Sequence, residues 1–134
     1  MGRARVLICD DDRAFRSLLR VLVSAQEDME VVGESCDGRE CLEHAASARP
    51  DAVLLDLVMP RMSGLAALPA IVAAHPAAKV IVLSSEDPEE AEPAVRRLGA
   101  TCFVPKAERN LLATLPDRIR EALASGPPVS PPAG

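Results

Sequence analysis

Residues 52–60 read Ala-Val-Leu-Leu-Asp-Leu-Val-Met-Pro, and this stretch decides the fold that we predict for the chain. Four apolar residues precede Asp56 without a polar break, which is typical of a strand buried on both faces of a parallel sheet. Pro60 cannot continue such a strand, so we expect Asp56 at the carboxyl end of the strand. That edge is where open parallel α/β sheets bind ligands.

Three other apolar runs also end in polar side chains. Asp10 and Asp11 follow the run that begins near residue 5, Ser84 follows the run that begins at residue 79, and Lys106 follows the run that begins near residue 101. The carboxyl ends of parallel strands share one edge of the sheet. We therefore expect these four side chains to lie near Asp56.

The segments between these runs have the apolar spacing of helices. The first carries Phe15, Leu18, Leu19 and Leu22 at positions i, i+3, i+4 and i+7, which predicts one buried face. We predict strands at about residues 5–9, 30–34, 52–55, 79–83 and 101–105, and helices at about residues 13–26, 39–48, 65–75, 86–98 and 108–124. The expected fold class is α/β, with a flavodoxin-like doubly wound five-stranded parallel sheet of order 2-1-3-4-5 and five helices.

Length and composition limit the classes of protein to which the chain can belong. We expect the 134 residues to form one domain, residues 1–124, followed by a flexible proline-rich tail or linker at residues 125–134. A net charge of -5 and only two aromatic residues, Phe15 and Phe103, argue against a surface for nucleic acid or anionic membrane. The apolar runs are too short to span a bilayer and no export signal is apparent, so we predict a cytoplasmic protein.

The four cysteines are Cys9, Cys36, Cys41 and Cys102, and no two of them have the C-x-x-C spacing of a redox or metal motif. Cys9 and Cys102 fall inside apolar runs. We therefore expect reduced cysteines that fill the core, rather than disulfides or a metal site.

The polar residues at the sheet edge suit a divalent cation and a phosphate. Clustered carboxylates hold Mg²⁺, which keeps waters and phosphate oxygens among its ligands, and no histidine or cysteine is placed to favour Zn²⁺. Lys106 adds a positive charge for a phosphoryl oxygen, and Ser84 offers a hydroxyl. An aspartate such as Asp56 can itself be the nucleophile.

Four segments in this order resemble the receiver domain of two-component response regulators. They are residues 7–12, 55–65, 82–85 and 99–106, and the resemblance covers residues 5 to about 124. It is greatest to receivers that carry DNA-binding or chemotaxis methylesterase domains, here without an effector domain. The resemblance implies a phosphoprotein of a two-component phosphorelay. Such a protein is not an enzyme in the usual sense, although it catalyses its own phosphorylation and dephosphorylation.

The resemblance also implies the partners. The phosphoryl donor would be a sensor histidine kinase or a histidine phosphotransfer protein that docks beside the first helix. The phosphorylated form would then switch an unknown output protein through the face formed by the fourth helix, the fifth strand and the fifth helix.

The resemblance assigns a metal site and a switch. Asp56 would be the phosphate-accepting aspartate, and Asp11 and Asp56 would bind Mg²⁺ directly. The backbone carbonyl of Val58 would complete the protein ligands, and Asp10 would act through a bound water. The switch group would comprise three residues that contact or report the phosphoryl group, namely Ser84, Lys106 and Phe103.

The chain departs from the family's pattern in three places. Ala107 follows the lysine where a proline is usual, and Phe103 has no hydroxyl. Pro69, Pro93 and Pro116 fall inside the predicted third, fourth and fifth helices, where a missing N–H breaks or kinks a helix. We therefore predict an irregular output face.

Two alternatives remain. A phosphatase that resembles the haloacid dehalogenase superfamily would use Asp10 as its nucleophile, but Asp56 would then have no role. A receiver-like interaction module that no longer depends on phosphorylation is the second alternative, and the complete set of acceptor, metal and switch residues argues against it.

Overall fold

The computed structural model describes residues 2–126 and confirms the predicted fold class. Five parallel strands form one sheet of order β2-β1-β3-β4-β5, with a helix after each strand. The strands are β1 (Ala4–Cys9), β2 (Met29–Ser35), β3 (Ala52–Leu55), β4 (Lys79–Ser84) and β5 (Cys102–Pro105). The helices are α1 (Arg13–Ser24), α2 (Gly38–Ala48), α3 (Gly64–Ala74), α4 (Pro88–Arg97) and α5 (Leu111–Ala124).

The sheet separates two apolar cores, and β3 contributes to both. Val53 and Leu55 pack in the core beneath α2, α3 and α4, whereas Ala52 and Leu54 pack in the core beneath α1 and α5. All four residues are at most 1 % exposed. The unbroken apolar run before Asp56 is thus explained by burial of both faces of a central strand.

The prolines do not break the helices, so the prediction of an irregular output face is wrong. Pro69, Pro93 and Pro116 lie inside continuous helices α3, α4 and α5. Each is the sixth residue of its helix. Because proline has no N–H to donate to the carbonyl four residues earlier, the carbonyl of the second helical residue is left without its helical partner. Those second residues are exposed. Water can therefore solvate the carbonyl, and the helix continues.

Two helix starts differ from the prediction. The fourth helix begins at Pro88 rather than near residue 86, because Asp87 accepts a hydrogen bond from the Glu89 N–H as the N-cap and proline suits the first helical position. The fifth helix begins at Leu111 rather than at residue 108, because Asn110 is in a left-handed conformation with a φ of 60°. Gly99 follows the end of α4 with a φ of 107°, a conformation that glycine adopts without strain.

The face of α1 is only partly buried. Leu19 is buried and Phe15 and Leu22 are half-buried, but Leu18 is 50 % exposed, contrary to the predicted apolar face. Val23 is buried instead. Helix α1 thus keeps apolar side chains at its surface.

The expectation of four reduced cysteines is wrong for two of them. Cys9 at the end of β1 and Cys41 in the first turn of α2 form a disulfide, with their Cα atoms 6.1 Å apart. Both are buried, as expected, and Cys36 and Cys102 are free and half-buried. No local sequence pattern relates two cysteines that are 32 residues apart. Only the packing of α2 on β1 brings this pair together.

No helix within residues 2–126 has both the length and the apolar composition needed to cross a membrane. The predicted tail at residues 125–134 lies almost wholly outside the described residues.

Candidate functional site

The three carboxylates after β1 take different positions. Asp10 is 1 % exposed, and its Oδ1 accepts a hydrogen bond from the Asp12 N–H at 2.9 Å. Asp12 is the N-cap of α1 and accepts hydrogen bonds from the N–H groups of Ala14 and Phe15. Asp11 between them is exposed. Asp12 therefore serves as the cap of α1, whereas the carboxylates of Asp10 and Asp11 remain available to bind a ligand.

Asp56 lies beside Asp10 at the carboxyl edge of the sheet. Its N–H donates to the carbonyl of Cys9 at 2.9 Å, and its side chain is nearly buried. Gly64, at the start of α3, packs so closely that a Cβ there would collide with the Asp56 carbonyl oxygen. The Gly64 N–H donates to the Leu57 carbonyl at 3.0 Å. A glycine is thus required where α3 meets the acceptor segment.

Lys106 connects the acidic groups. Its Nζ lies 2.9 Å from Asp10 Oδ2 and 3.5 Å from Asp56 Oδ2. The same nitrogen lies 4.6 Å from the centre of the Phe15 ring, within the range of a cation–π contact. Its backbone N–H donates to the Ser84 carbonyl at 2.8 Å, which aligns the ends of β4 and β5.

The charges at this edge shift two pKa values. Burial, followed by the negative charge of Asp10, raises the pKa of Asp56 to about 6, although Lys106 opposes the shift. For Lys106, burial opposes the charged form, but the hydrogen bond and charge of Asp10 and the charge of Asp56 outweigh it. The pKa of Lys106 is therefore raised above its ordinary value. The site holds excess negative charge that one lysine does not neutralise.

The carboxylates fit a divalent cation. Asp10, Asp11 and Asp56 each offer an oxygen within 4.8 Å of the others. Asp10 Oδ2 is buried, and its partner within residues 2–126 is the Lys106 ammonium at 2.9 Å. A buried carboxylate oxygen with free lone pairs beside two further carboxylates is a donor set that suits Mg²⁺.

The other predicted site residues are placed as follows. Ser84 ends β4 and is 1 % exposed, and its Oγ accepts a hydrogen bond from the Glu86 N–H at 3.0 Å, which leaves its proton free to donate. The Val58 N–H lies 3.4 Å from Asp56 Oδ1. Phe103 is 3 % exposed and packs in the core beneath α4, not at the site. No peptide bond within residues 2–126 is cis, so the bond to Ala107 is trans.

Sequence reasoning missed two contacts. The apolar spacing predicts only a core position for Phe15, whereas its ring also faces Lys106. No pattern in the sequence distinguishes Arg61, which forms an ion pair with Asp37 at 2.6 Å. Asp37 is the N-cap of α2, and no local sequence pattern shows that a cation 24 residues away reaches it.

Comparisons with known proteins agree with this geometry. Residues 6–116 match the family described as the response regulator receiver domain. The chain is 36 % identical over 124 residues to a protein-glutamate methylesterase/protein-glutamine glutaminase of Pyrococcus abyssi, a match that covers 91 % of this chain and 33 % of that protein. The chain spans about a third of the length of such methylesterases.

Solved structures show the same fold. The response regulator domain of Thermotoga maritima CheB has a TM-score of 0.85 and 30 % identity, with coverage of 93 % of this chain and 99 % of that domain. The CheX-CheY-BeF3-Mg²⁺ complex of Borrelia burgdorferi has a TM-score of 0.84 and 25 % identity, with 92 % of each chain covered. These similarities favour the receiver interpretation over the phosphatase alternative.

Proposed function

Because the chain belongs to the family of response regulator receiver domains, we propose that Asp56 accepts a phosphoryl group from a phosphorylated histidine of a partner protein, with Mg²⁺ bound beside it. The observation that carries this proposal is the position of Lys106. Its ammonium reaches both Asp10 and Asp56 at the edge where three carboxylates converge. One cation among three carboxylates leaves charge for a metal ion to neutralise.

The proposed metal site uses residues that follow β1 and β3. Asp11 and Asp56 would hold Mg²⁺ directly, the Val58 carbonyl would complete the protein ligands, and Asp10 would act through a water. When bound, Mg²⁺ neutralises charge on the carboxylates and on the incoming phosphoryl oxygens. The Borrelia burgdorferi relative, described as a complex with BeF3 and Mg²⁺, supports the choice of cation.

The transfer is a substitution at phosphorus. An ionised oxygen of Asp56 forms a bond to phosphorus while the bond from phosphorus to the donor's histidine nitrogen breaks, and the electron pair leaves with the imidazole. The product is an acyl phosphate. Lys106 keeps its proton because its pKa is raised, and it contacts a phosphoryl oxygen. The Ser84 hydroxyl donates a hydrogen bond to another oxygen once the group is in place.

We propose that the donor, a sensor histidine kinase or a histidine phosphotransfer protein, docks beside α1. Leu18 and Val21, three residues apart on this helix, are 50 % and 64 % exposed and form an apolar patch on its surface. The helix begins immediately after Asp12, so a partner on its surface lies close to the acidic edge. We propose the cytoplasm as the compartment in which the chain meets this donor.

The proposed output is a change at the face formed by α4, β5 and α5. Phe103 of β5 and Val95 of α4 are buried in the same apolar core, so movement of the ring would loosen the packing of that helix. Helix α4 buries only Ala91 and Val95, and thus has little apolar surface to hold it in one position. The chain would act as a switch that catalyses its own phosphorylation and dephosphorylation, while the output protein is a separate partner or domain.

The test is the intact mass of the chain after incubation with acetyl phosphate and Mg²⁺. We expect one added phosphoryl group, which is absent both in Asp56→Asn and in a sample treated with a chelator. An unmodified wild-type chain that also fails to bind beryllofluoride in an NMR titration would contradict the proposal and favour the interaction module. An adduct that survives Asp56→Asn but not Asp10→Asn would favour the phosphatase.

A further inference from the structure

The segment after Asp56 is partly exposed. Residues 57–63 connect the acceptor to α3 and include Val58, whose side chain is 60 % exposed. Within this segment Arg61 has a φ of 63°, a left-handed conformation that residues with side chains rarely adopt. The conformation of the segment therefore depends on contacts with the rest of the domain.

Asp37, the N-cap of α2, makes such a contact. Its Oδ1 accepts a hydrogen bond from the Glu40 N–H at 2.8 Å, and its Oδ2 accepts one from Arg61 Nε at 2.7 Å. A second guanidinium nitrogen of Arg61 lies 2.6 Å from the same Oδ2. The Glu40 N–H, followed by the Arg61 guanidinium, holds the pKa of Asp37 below its usual value. The carboxylate is thus ionised and shared between a helix cap and the acceptor segment.

The backbone of α2 approaches the same segment. The Gly38 N–H donates to the Met62 carbonyl at 2.7 Å, and a Cβ on Gly38 would lie 2.5 Å from that oxygen and 2.8 Å from the Ser63 oxygen. Cys41, three residues further, is bonded to Cys9, which directly precedes Asp10. The first turn of α2 therefore contacts both chain segments that carry the acidic groups.

We propose that Arg61 and Asp37 are positioning residues for the magnesium site: their ion pair fastens the segment after Asp56 to α2 and so holds Asp56 and the Val58 carbonyl in place for the metal. This inference rests on the proposed function, because it concerns the affinity of that same site. Residues that orient metal ligands commonly change metal affinity by about 10- to 100-fold.

The experiment measures the Mg²⁺ dissociation constant by NMR chemical-shift titration, since the chain has no tryptophan or tyrosine for fluorescence. Arg61→Gly removes the guanidinium but suits the positive φ, so it separates the ion pair from the backbone conformation. Asp37→Asn keeps a good N-cap but removes the charge. Arg39→Ala is the matched control, because Arg39 is an exposed arginine of the same helical turn that forms no ion pair within residues 2–126.

We expect Arg61→Gly and Asp37→Asn each to weaken Mg²⁺ binding by about tenfold, the lower end of such effects. The double variant should be no weaker than either single variant, because both changes remove one interaction. Arg61→Lys should have intermediate affinity, and Arg39→Ala should bind as the wild type does. Saturating Mg²⁺ should restore the rate of phosphorylation by acetyl phosphate in Arg61→Gly, which a general loss of structure would not allow.

Two results would overturn this inference while leaving the proposed function intact. One is a wild-type chain that binds Mg²⁺ and is phosphorylated on Asp56 while Arg61→Gly binds Mg²⁺ as tightly as Arg39→Ala. The other is a phosphorylation defect in Arg61→Gly that persists at saturating Mg²⁺. A wild-type chain that binds no Mg²⁺ would instead overturn the proposed function, and this inference with it.

Discussion

Lys106 Nζ lies 2.9 Å from Asp10 Oδ2, closer than its 3.5 Å approach to Asp56 Oδ2. The lysine is therefore paired chiefly with the carboxylate that is not the proposed acceptor. The ammonium therefore holds the Asp56 carboxylate less closely than it holds the Asp10 carboxylate, and it remains beside the proposed acceptor. The pair also neutralises a carboxylate that is 1 % exposed.

Replacement of this lysine should destabilise the metal-free chain. We expect Lys106→Gln to lower the free energy of unfolding by about 1 to 2 kcal/mol, because Asp10 and Asp56 lose their shared counter-charge at a partly solvated edge. Mg²⁺ should stabilise this variant more than it stabilises the wild type, since the metal replaces the missing charge. Urea unfolding with and without Mg²⁺ measures both effects. Lys79→Gln, at the opposite end of β4, is the control, and an equal loss in both variants would contradict the prediction.

The Phe15 ring should affect the chemistry through Lys106. We expect Phe15→Leu to slow phosphorylation by acetyl phosphate by about two- to fivefold, the rate equivalent of an exposed cation–π contact. Phe15→Tyr keeps the ring and should react as the wild type does. The measurement is the rate of phosphoryl incorporation followed by intact mass. If Phe15→Leu reacted at the wild-type rate while Lys106→Gln was slow, the ring would have no part in holding the ammonium.

The raised pKa of Asp56 predicts a pH-dependent stability in metal-free solution. The folded chain holds the Asp56 proton up to about pH 6, whereas the ordinary value is 3.8. The contribution of Asp56 to stability is therefore present below about pH 4 and is lost as the pH rises through 6. Asp56→Asn should consequently be more stable than the wild type at pH 8 by about 1 to 3 kcal/mol, because the ionised carboxylate is nearly buried and one pKa unit corresponds to about 1.4 kcal/mol.

Urea unfolding in the presence of a chelator at pH 8 and at pH 4.5 tests this prediction. The difference in free energy of unfolding between Asp56→Asn and the wild type should be smaller at the lower pH, where most of the folded wild type is protonated at Asp56. Comparison with the variant cancels the other titrating groups. A variant that was less stable than the wild type at pH 8 would contradict the assigned direction of the pKa shift.

The Cys9–Cys41 disulfide predicts a thiol count and a stability difference. Unfolded, unreduced protein should show two reactive thiols, from Cys36 and Cys102, and four after reduction. Closure of a 32-residue loop corresponds to about 3 to 4 kcal/mol of stability in the chain-entropy account. Urea unfolding with and without reductant measures that difference. Four thiols in the absence of reductant would show that the pair is reduced in solution.

The sequence alone determined the sheet order and the identity of the edge that carries the site. Asp56 follows a strand buried on both faces, and the alternation of strands with helices predicts a parallel sheet whose carboxyl ends share one edge, where Asp10 and Asp56 follow neighbouring strands. Asp12 caps α1 and Gly99 follows the end of α4, as residues of these types commonly do at helix ends. These features depend on residues that are close together along the chain, and their signals are therefore visible in it.

Tertiary structure decided the contacts between distant segments. The prolines inside α3, α4 and α5 were expected to break helices, but packing against the sheet outweighs one lost hydrogen bond near an exposed helix start. Phe15 faces Lys106, Arg61 reaches Asp37, and Cys9 joins Cys41. Each pair combines side chains whose separation along the chain carries no periodic signal, so only the folded geometry of the sheet and its helices brings them together.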